Sequence, residues 1–262
     1  MTTNSTDAGF CADCFKGVRH EGTPEGAMTT LGGVPCYVAT PAGEYDATKA
    51  VLYLSDACGL ALPNNKLLAD DYARNGYKTV VPDLFAGDPV PPTALDPDAP
   101  PFDWQAWLPQ HQPAHTGPLL DAVLAALTLS GVTHIACAGY CFGARAALDL
   151  ALAQRVSPVA LAHPSQVRRG PSAEDAHAYA ATAAAPLLIV ACEHDPVFPP
   201  ADQAITDAIL GGGRFAPGYK RVYFPGCRHG FAVRGDPADP AVRAAKKAAF
   251  KEMVGWFRGH GF

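Results

Sequence analysis

The sequence predicts an α/β domain, a mostly parallel central sheet covered by helices on both faces. Two observations carry that prediction. Short apolar runs alternate along the chain with longer stretches of helical character, the pattern of strand–helix–strand units. Most of these runs are apolar throughout, as strands buried on both faces are. The composition agrees: of 262 residues, 48% are hydrophobic and 17% charged, ample for the core of a single domain spanning 1–262.

In chain order, strands are expected at Val34–Ala39, Ala50–Leu54, Lys78–Pro82, His134–Gly139, Val159–His163, Leu187–Cys192 and Arg221–Phe224. Helices are expected at Asn64–Asn75, Pro118–Leu129, Cys141–Gln154, Ser172–Thr182, Ala201–Leu210 and Pro240–Phe257. The last helix carries an apolar stripe, with Val242, Ala245, Ala249, Phe250, Met253, Trp256 and Phe257 at steps of three and four. Residues 88–118 break the alternation: nine prolines surround the short piece Asp103-Trp104-Gln105-Ala106-Trp107-Leu108. A connection of about thirty residues inside a compact domain is usually functional or disordered. This one leaves the carboxyl end of a central strand, where open α/β sheets bind ligands. Trp104 and Trp107 also need somewhere to bury, so the segment is expected to cap the site.

The net charge of −5 argues against a nucleic-acid or anionic-membrane surface, which needs clustered Lys and Arg. No apolar stretch approaches the roughly 18 residues needed to span a bilayer. The start, Met1 to Asp7, lacks the basic residues and apolar run of a secretory signal. Of eight cysteines, Cys36, Cys58, Cys137 and Cys192 sit in strand-like runs, so reduced thiols and a cytoplasmic location are expected.

The chemistry centres on Gly139-Tyr140-Cys141-Phe142-Gly143, directly after the run Thr133–Ala138 and before the Ala-rich stretch 144–153. With serine in the middle, this elbow holds the nucleophile of α/β-hydrolases on a tight strand-to-helix turn. A Cβ at either glycine would collide with a neighbouring element. The helix start beside Cys141 favours thiolate over thiol. The competing interpretation is a small buried cysteine in a helix-packing motif.

A nucleophile needs a base, and the base needs a group to hold it. Leu187–Cys192 runs into Glu193-His194-Asp195-Pro196, and Val222–Arg228 delivers His229. Both exits lie at strand carboxyl ends, in the hydrolase order of nucleophile, acid, histidine. Asp195 is therefore the expected acid, ahead of Glu193, and His229 the expected base, ahead of His194. His163 ends a strand at the same edge, as a substrate contact or a partner for a backbone carbonyl.

The chain resembles the dienelactone hydrolase family, most of all its fungal cytosolic branch. The matching pieces are Val80-Val81-Pro82-Asp83-Leu84-Phe85 with Gly87-Asp88-Pro89-Val90, the elbow 139–143, Ala162-His163-Pro164-Ser165, Phe198-Pro199, and His229-Gly230-Phe231-Ala232-Val233-Arg234-Gly235. Cys11-x-x-Cys14 with Gly17, His20, Gly22, Pro24 and Gly26 also resembles that branch. The resemblance implies an α/β-hydrolase fold and a triad of Cys141, His229 and Asp195. It also implies an acidic thiol-activating residue, placed here at Asp56 where glutamate is usual and one methylene shorter. An oxyanion hole is implied at the Ala57 and Phe142 N–H groups. Bacterial members clamp a substrate carboxylate with two arginines; Gly87 stands near the first position and Arg234 near the second.

These readings together lead to an expected hydrolase of a lactone, enol-lactone or activated ester, working through an acyl-cysteine with no metal or organic cofactor. Arg234, His163, Trp104 and Trp107 are the expected substrate contacts. A small molecule is the expected partner, with no nucleic acid or membrane, for a monomer or homodimer. The alternatives are a lactonising, cyclising or isomerising enzyme of a polyketide-type secondary-metabolite pathway, and a binding protein on the same scaffold. Cys11 and Cys14 are read as part of a packed N-terminal segment, since a zinc site lacks further ligands at workable spacing.

Overall fold

A computed structural model of the chain describes residues 22–95, 99–165 and 171–262; Cys11, Cys14 and His20 lie outside them. The strands are β1 (Ala27–Leu31), β2 (Val34–Ala39), β3 (Lys49–Leu54), β4 (Thr79–Pro82), β5 (His134–Tyr140), β6 (Val159–Ala162), β7 (Leu187–His194) and β8 (Tyr219–Arg228). The helices are α1 (Pro63–Arg74), α2 (Trp104–Trp107), α3 (Pro113–Leu129), α4 (Gly143–Leu152), α5 (Ala173–Thr182), α6 (Pro200–Leu210), α7 (Phe231–Arg234) and α8 (Pro240–Gly259).

The strands form one eight-stranded sheet in the order β1-β2-β4-β3-β5-β6-β7-β8. β2 pairs antiparallel with both β1 and β4, and every pairing from β4 to β8 is parallel. Alternate residues feed two cores. Leu52 and Leu54 of β3 with Cys137 of β5 face Leu124 of α3 and Ala147 of α4. Tyr53 and Tyr140, on the other face, meet Tyr72 of α1 and Phe250 of α8. Burial on both faces accounts for runs without polar alternation.

The sheet order places a crevice. β3 leads to α1 on one face, while β5 leads to α4 on the other, and the two strands are neighbours. Chain segments leaving adjacent strands toward opposite faces open a gap at their carboxyl ends, the usual ligand position in such sheets.

Several elements depart from the expectation, among them the one-turn helix α7, which no helix expectation covered. β1 was not anticipated, because Ala-Met-Thr-Thr-Leu is largely exposed and has no apolar run. A two-residue hairpin holds it: Leu31 pairs with Val34 across Gly32 and Gly33, both at positive φ, as the tight hairpin turn requires. α3 begins at Pro113, so the irregular connection is shorter than 88–118. Pro118 sits inside the helix, where it forfeits one hydrogen bond near the start. β8 runs to Arg228, longer than its apolar portion, because it follows β7 past a register shift between Cys192 and His194. α4 begins at Gly143, so Cys141 stands before the helix and not in its first turn. Among the described residues, no helix is long and apolar enough to cross a membrane.

Candidate active site

The elbow is built by close packing. Cys141 has φ of +49°, the left-handed region that non-glycine residues enter only when surrounding structure imposes it. A Cβ at Gly143 would sit on the Leu54 carbonyl, and one at Gly139 would lie 2.9 Å from Ala144 Cα and 3.0 Å from Leu161 Cδ2. The Cys141 N–H donates to Ala162 O at 3.1 Å, and Gly143 N–H to Ser55 O at 3.0 Å. These two bonds tie the elbow to β6 on one side and to the turn after β3 on the other.

Two further strand ends meet Cys141. His229 follows β8, its N–H anchored on His194 O at 3.1 Å. Its Nε2 lies 3.1 Å from Cys141 Sγ, and its Nδ1 lies 3.0 Å from each Asp195 oxygen. Asp195 follows β7 and is 4% exposed. Its Oδ1 accepts from the Val197 and Phe198 N–H groups at 3.1 and 3.0 Å, and its Oδ2 from Cys192 Sγ at 3.6 Å. Gln203 closes this turn by donating to Cys192 O and Phe198 O. Glu193 turns away and accepts from Gly226 N–H at 2.7 Å.

The electrostatics favour a charged pair. Burial works against the Cys141 thiolate, but the His229 charge and hydrogen bond, helped by Arg234, hold the thiol below its ordinary value. Burial likewise disfavours the His229 imidazolium, yet Cys141 and Asp195 raise it to about 10. Burial pushes Asp195 up, and its bonds to His229, Phe198 and Val197 bring it below the usual carboxylate value.

Asp56 does not take the expected position on the thiol. It is fully buried, and its Oδ2 pairs with the Arg234 guanidinium. Its Oδ1 accepts from Asn65 Nδ2 at 2.9 Å and from Cys58 N–H at 3.2 Å. Both oxygens are thus engaged by groups other than Cys141, and the short side chain stays with them. Arg234 lies at the end of α7 with its side chain 22% exposed, bound to Asp56 instead of standing free for a substrate carboxylate. Gly230 makes room for it, since a Cβ there would strike the guanidinium. His163 was expected to meet substrate or a carbonyl. It is fully buried at φ of +38°, and neither ring nitrogen has a hydrogen-bond partner among the described residues. Its ring packs edge-on against His229, centroids 5.1 Å apart. Burial, with the His229 and Arg234 charges, keeps it neutral.

The Ala57 and Phe142 N–H groups are unclaimed by the hydrogen bonds among the described residues, though both residues are buried. Trp107 is buried with its Nε1–H on Asp88 O at 2.8 Å, stacked on His111 at 4.0 Å and edge-on to Phe142 at 5.6 Å. Trp104 is partly buried against Phe102 and Trp107. The connection after β4 therefore rests on the Phe142 ring. One neighbour was not anticipated: Ser165 places its Oγ 3.6 Å from Cys141 Sγ and donates its N–H to Cys141 O at 3.0 Å. Its signal was present, a hydroxyl three residues past the end of β6, at the edge where β5 ends.

A profile of the dienelactone hydrolase family matches residues 34–261. The chain belongs to the dienelactone hydrolase family. It is 36% identical over 245 residues to the hydrolase pyvD of Aspergillus violaceofuscus, covering 93% of this chain and 94% of that one. It is 31% identical to dienlactone hydrolase 2 of Gibberella moniliformis, covering 93% and 92%. The crystal structure of a putative dienelactone hydrolase from Klebsiella pneumoniae superposes with a TM-score of 0.71 at 16% identity, over 89% of this chain and 98% of that one. The fold is that of the α/β-hydrolases, and the protein is a hydrolase.

Proposed function

We propose that the protein hydrolyses a lactone, enol-lactone or related activated ester through an acyl-cysteine, with Cys141, His229 and Asp195 as its triad. The observation that carries this reading is the continuous line Cys141 Sγ, His229, Asp195, with contacts of 3.1 and 3.0 Å. Cys141 attacks the carbonyl as a thiolate. The Ala57 and Phe142 N–H groups receive the developing oxyanion, and His229 protonates the leaving oxygen, which in a lactone stays attached to the acyl group. Much of what raises His229 is the charge on Cys141. Once sulfur is acylated that charge is gone, the imidazole returns toward neutrality, and it can take a proton from water. Water then attacks the thioester, releasing the acid and restoring the thiolate–imidazolium pair.

In this reading Arg234, and not Asp56, helps His229 to favour the thiolate, and Asp56 anchors Arg234. The nucleophile is charged before substrate arrives. The Pro-rich connection acts as a cap that presents Trp104 to the substrate.

The test is mass spectrometry of the protein mixed with p-nitrophenyl acetate and quenched early, followed by turnover of candidate lactones in isotopically labelled water. An acetyl group on Cys141 and label in the product acid are expected. Acylation elsewhere overturns the nucleophile, and an acylated Cys141 that yields unlabelled cyclic product turns the reading to a cyclase.

A further inference from the structure

α8 carries one residue that its apolar stripe does not explain. Lys246 falls in line with Val242, Ala249, Phe250 and Met253, and only 2% of it is exposed. A buried ammonium gives up its hydration, and a methionine would fill much the same volume without that loss. A charge kept in such a place points to work that an apolar side chain cannot perform.

The contacts of Lys246 show what it holds. Its Nζ donates to the Val233 carbonyl at 3.0 Å. The Asn64 amide, from α1, donates to the same oxygen at 2.8 Å. Val233 is the last residue of α7 before Arg234, and α7 starts two residues after His229. A four-residue helix has no stability of its own, so its exposed carbonyl end must be fixed from outside. Asp71, on α1, is the charge that favours the ammonium form of Lys246; it pairs in turn with Arg74. Burial holds Lys246 down at about 8. Two helices on one face of the sheet thus converge on a single carbonyl, one peptide unit from the arginine beside the nucleophile.

We propose that Lys246 is a positioning residue: with Asn64 it clamps the carboxyl end of α7 and fixes Arg234 against Asp56 and beside Cys141. The proposal rests on the reading above, in which Cys141 acts as a thiolate.

The test compares the full chain with Lys246→Met, Lys246→Arg and Asn64→Ala. Three quantities are read: thermal unfolding, the pH dependence of Cys141 alkylation by iodoacetamide, and kcat/KM for p-nitrophenyl acetate. Lys246→Met is expected to fold with unchanged or raised Tm, to displace the alkylation profile to higher pH, and to lower kcat/KM roughly tenfold. Lys246→Arg is expected to restore most of both. A stable Lys246→Met with an unmoved profile and kcat/KM within about twofold of the parent overturns the clamp. Should Lys246→Met not fold, Asn64→Ala, at a partly exposed position, decides: a smaller shift in the same direction supports the clamp and an unmoved profile overturns it. Parent Cys141 alkylating no faster near about pH 6 than an ordinary thiol overturns both the clamp and the reading beneath it. A reactive parent with unmoved variants overturns the clamp alone.

Discussion

Cys137 and Cys141 lie four residues apart on one segment, and they are opposite kinds of sulfur. Cys137 faces the apolar core between β5 and α4, and burial alone pushes its thiol far above the ordinary value. Cys141 is only partly buried; burial opposes its thiolate too, but His229 and Arg234 bring it below the ordinary thiol value. Four residues change which element carries the side chain and what it meets. The lowering of the Cys141 thiol is therefore a product of the crevice and not of the cysteine or of the segment.

The contrast breaks most completely when the base is removed. His229→Ala leaves Cys141 with burial and the Asp56 charge against it, so its titration should move up toward that of Cys137. Turnover should fall by roughly a thousandfold or more, as in Cys141→Ala, with circular dichroism unchanged. Near-parent kcat in either variant sinks the mechanism. In the parent, alkylation of Cys141 should persist below the ordinary thiol range and decline only as acid protonates sulfur through its lowered value. A profile that instead rises near the ordinary thiol value of about 8.5 would show a resting thiol.

A smaller effect isolates Arg234. Arg234→Gln removes one cation near the sulfur and leaves Asp56 buried without its ion-pair partner, and both changes disfavour the thiolate. An upward shift of the Cys141 titration and a loss of about tenfold in kcat/KM are expected. Adding Asp56→Asn removes the stranded carboxylate, so the double variant should recover part of the loss. A double variant worse than either single one would mean that Asp56 acts on the thiol directly.

The sequence made the first half of this contrast legible and hid the second. Fully apolar runs mark strands whatever surrounds them; Cys141 and Asp195 follow such runs and His229 follows the shorter apolar stretch of β8, so their meeting at one edge follows from parallel order. β1 lacked that signal because its strand character comes from the Gly32–Gly33 hairpin and pairing to β2. The Asp56–Arg234 pair joins residues 178 apart, and its existence depends on where a one-turn helix docks. The family resemblance could place Asp56 near the thiol but could not show that Asn65, Cys58 and Arg234 occupy both its oxygens. His163 was similar: its strand end was readable, but not the packing of its ring on His229.

The smallest expected effect concerns the wall beyond the sulfur. Trp107 is buried on Phe142, whose N–H is a proposed oxyanion donor, so its loss would disturb both packing and chemistry. Trp104 is partly exposed and touches Phe102 and Trp107, and its indole makes no hydrogen bond among the described residues. Trp104→Ala therefore removes surface that a substrate can cover while leaving the Phe142 contact in place. A severalfold rise in KM for bulky aromatic esters, little change for p-nitrophenyl acetate, and an unmoved Cys141 titration are expected. Equal loss with both substrates would assign Trp104 to holding the elbow, and no loss with either would separate the Pro-rich connection from substrate binding.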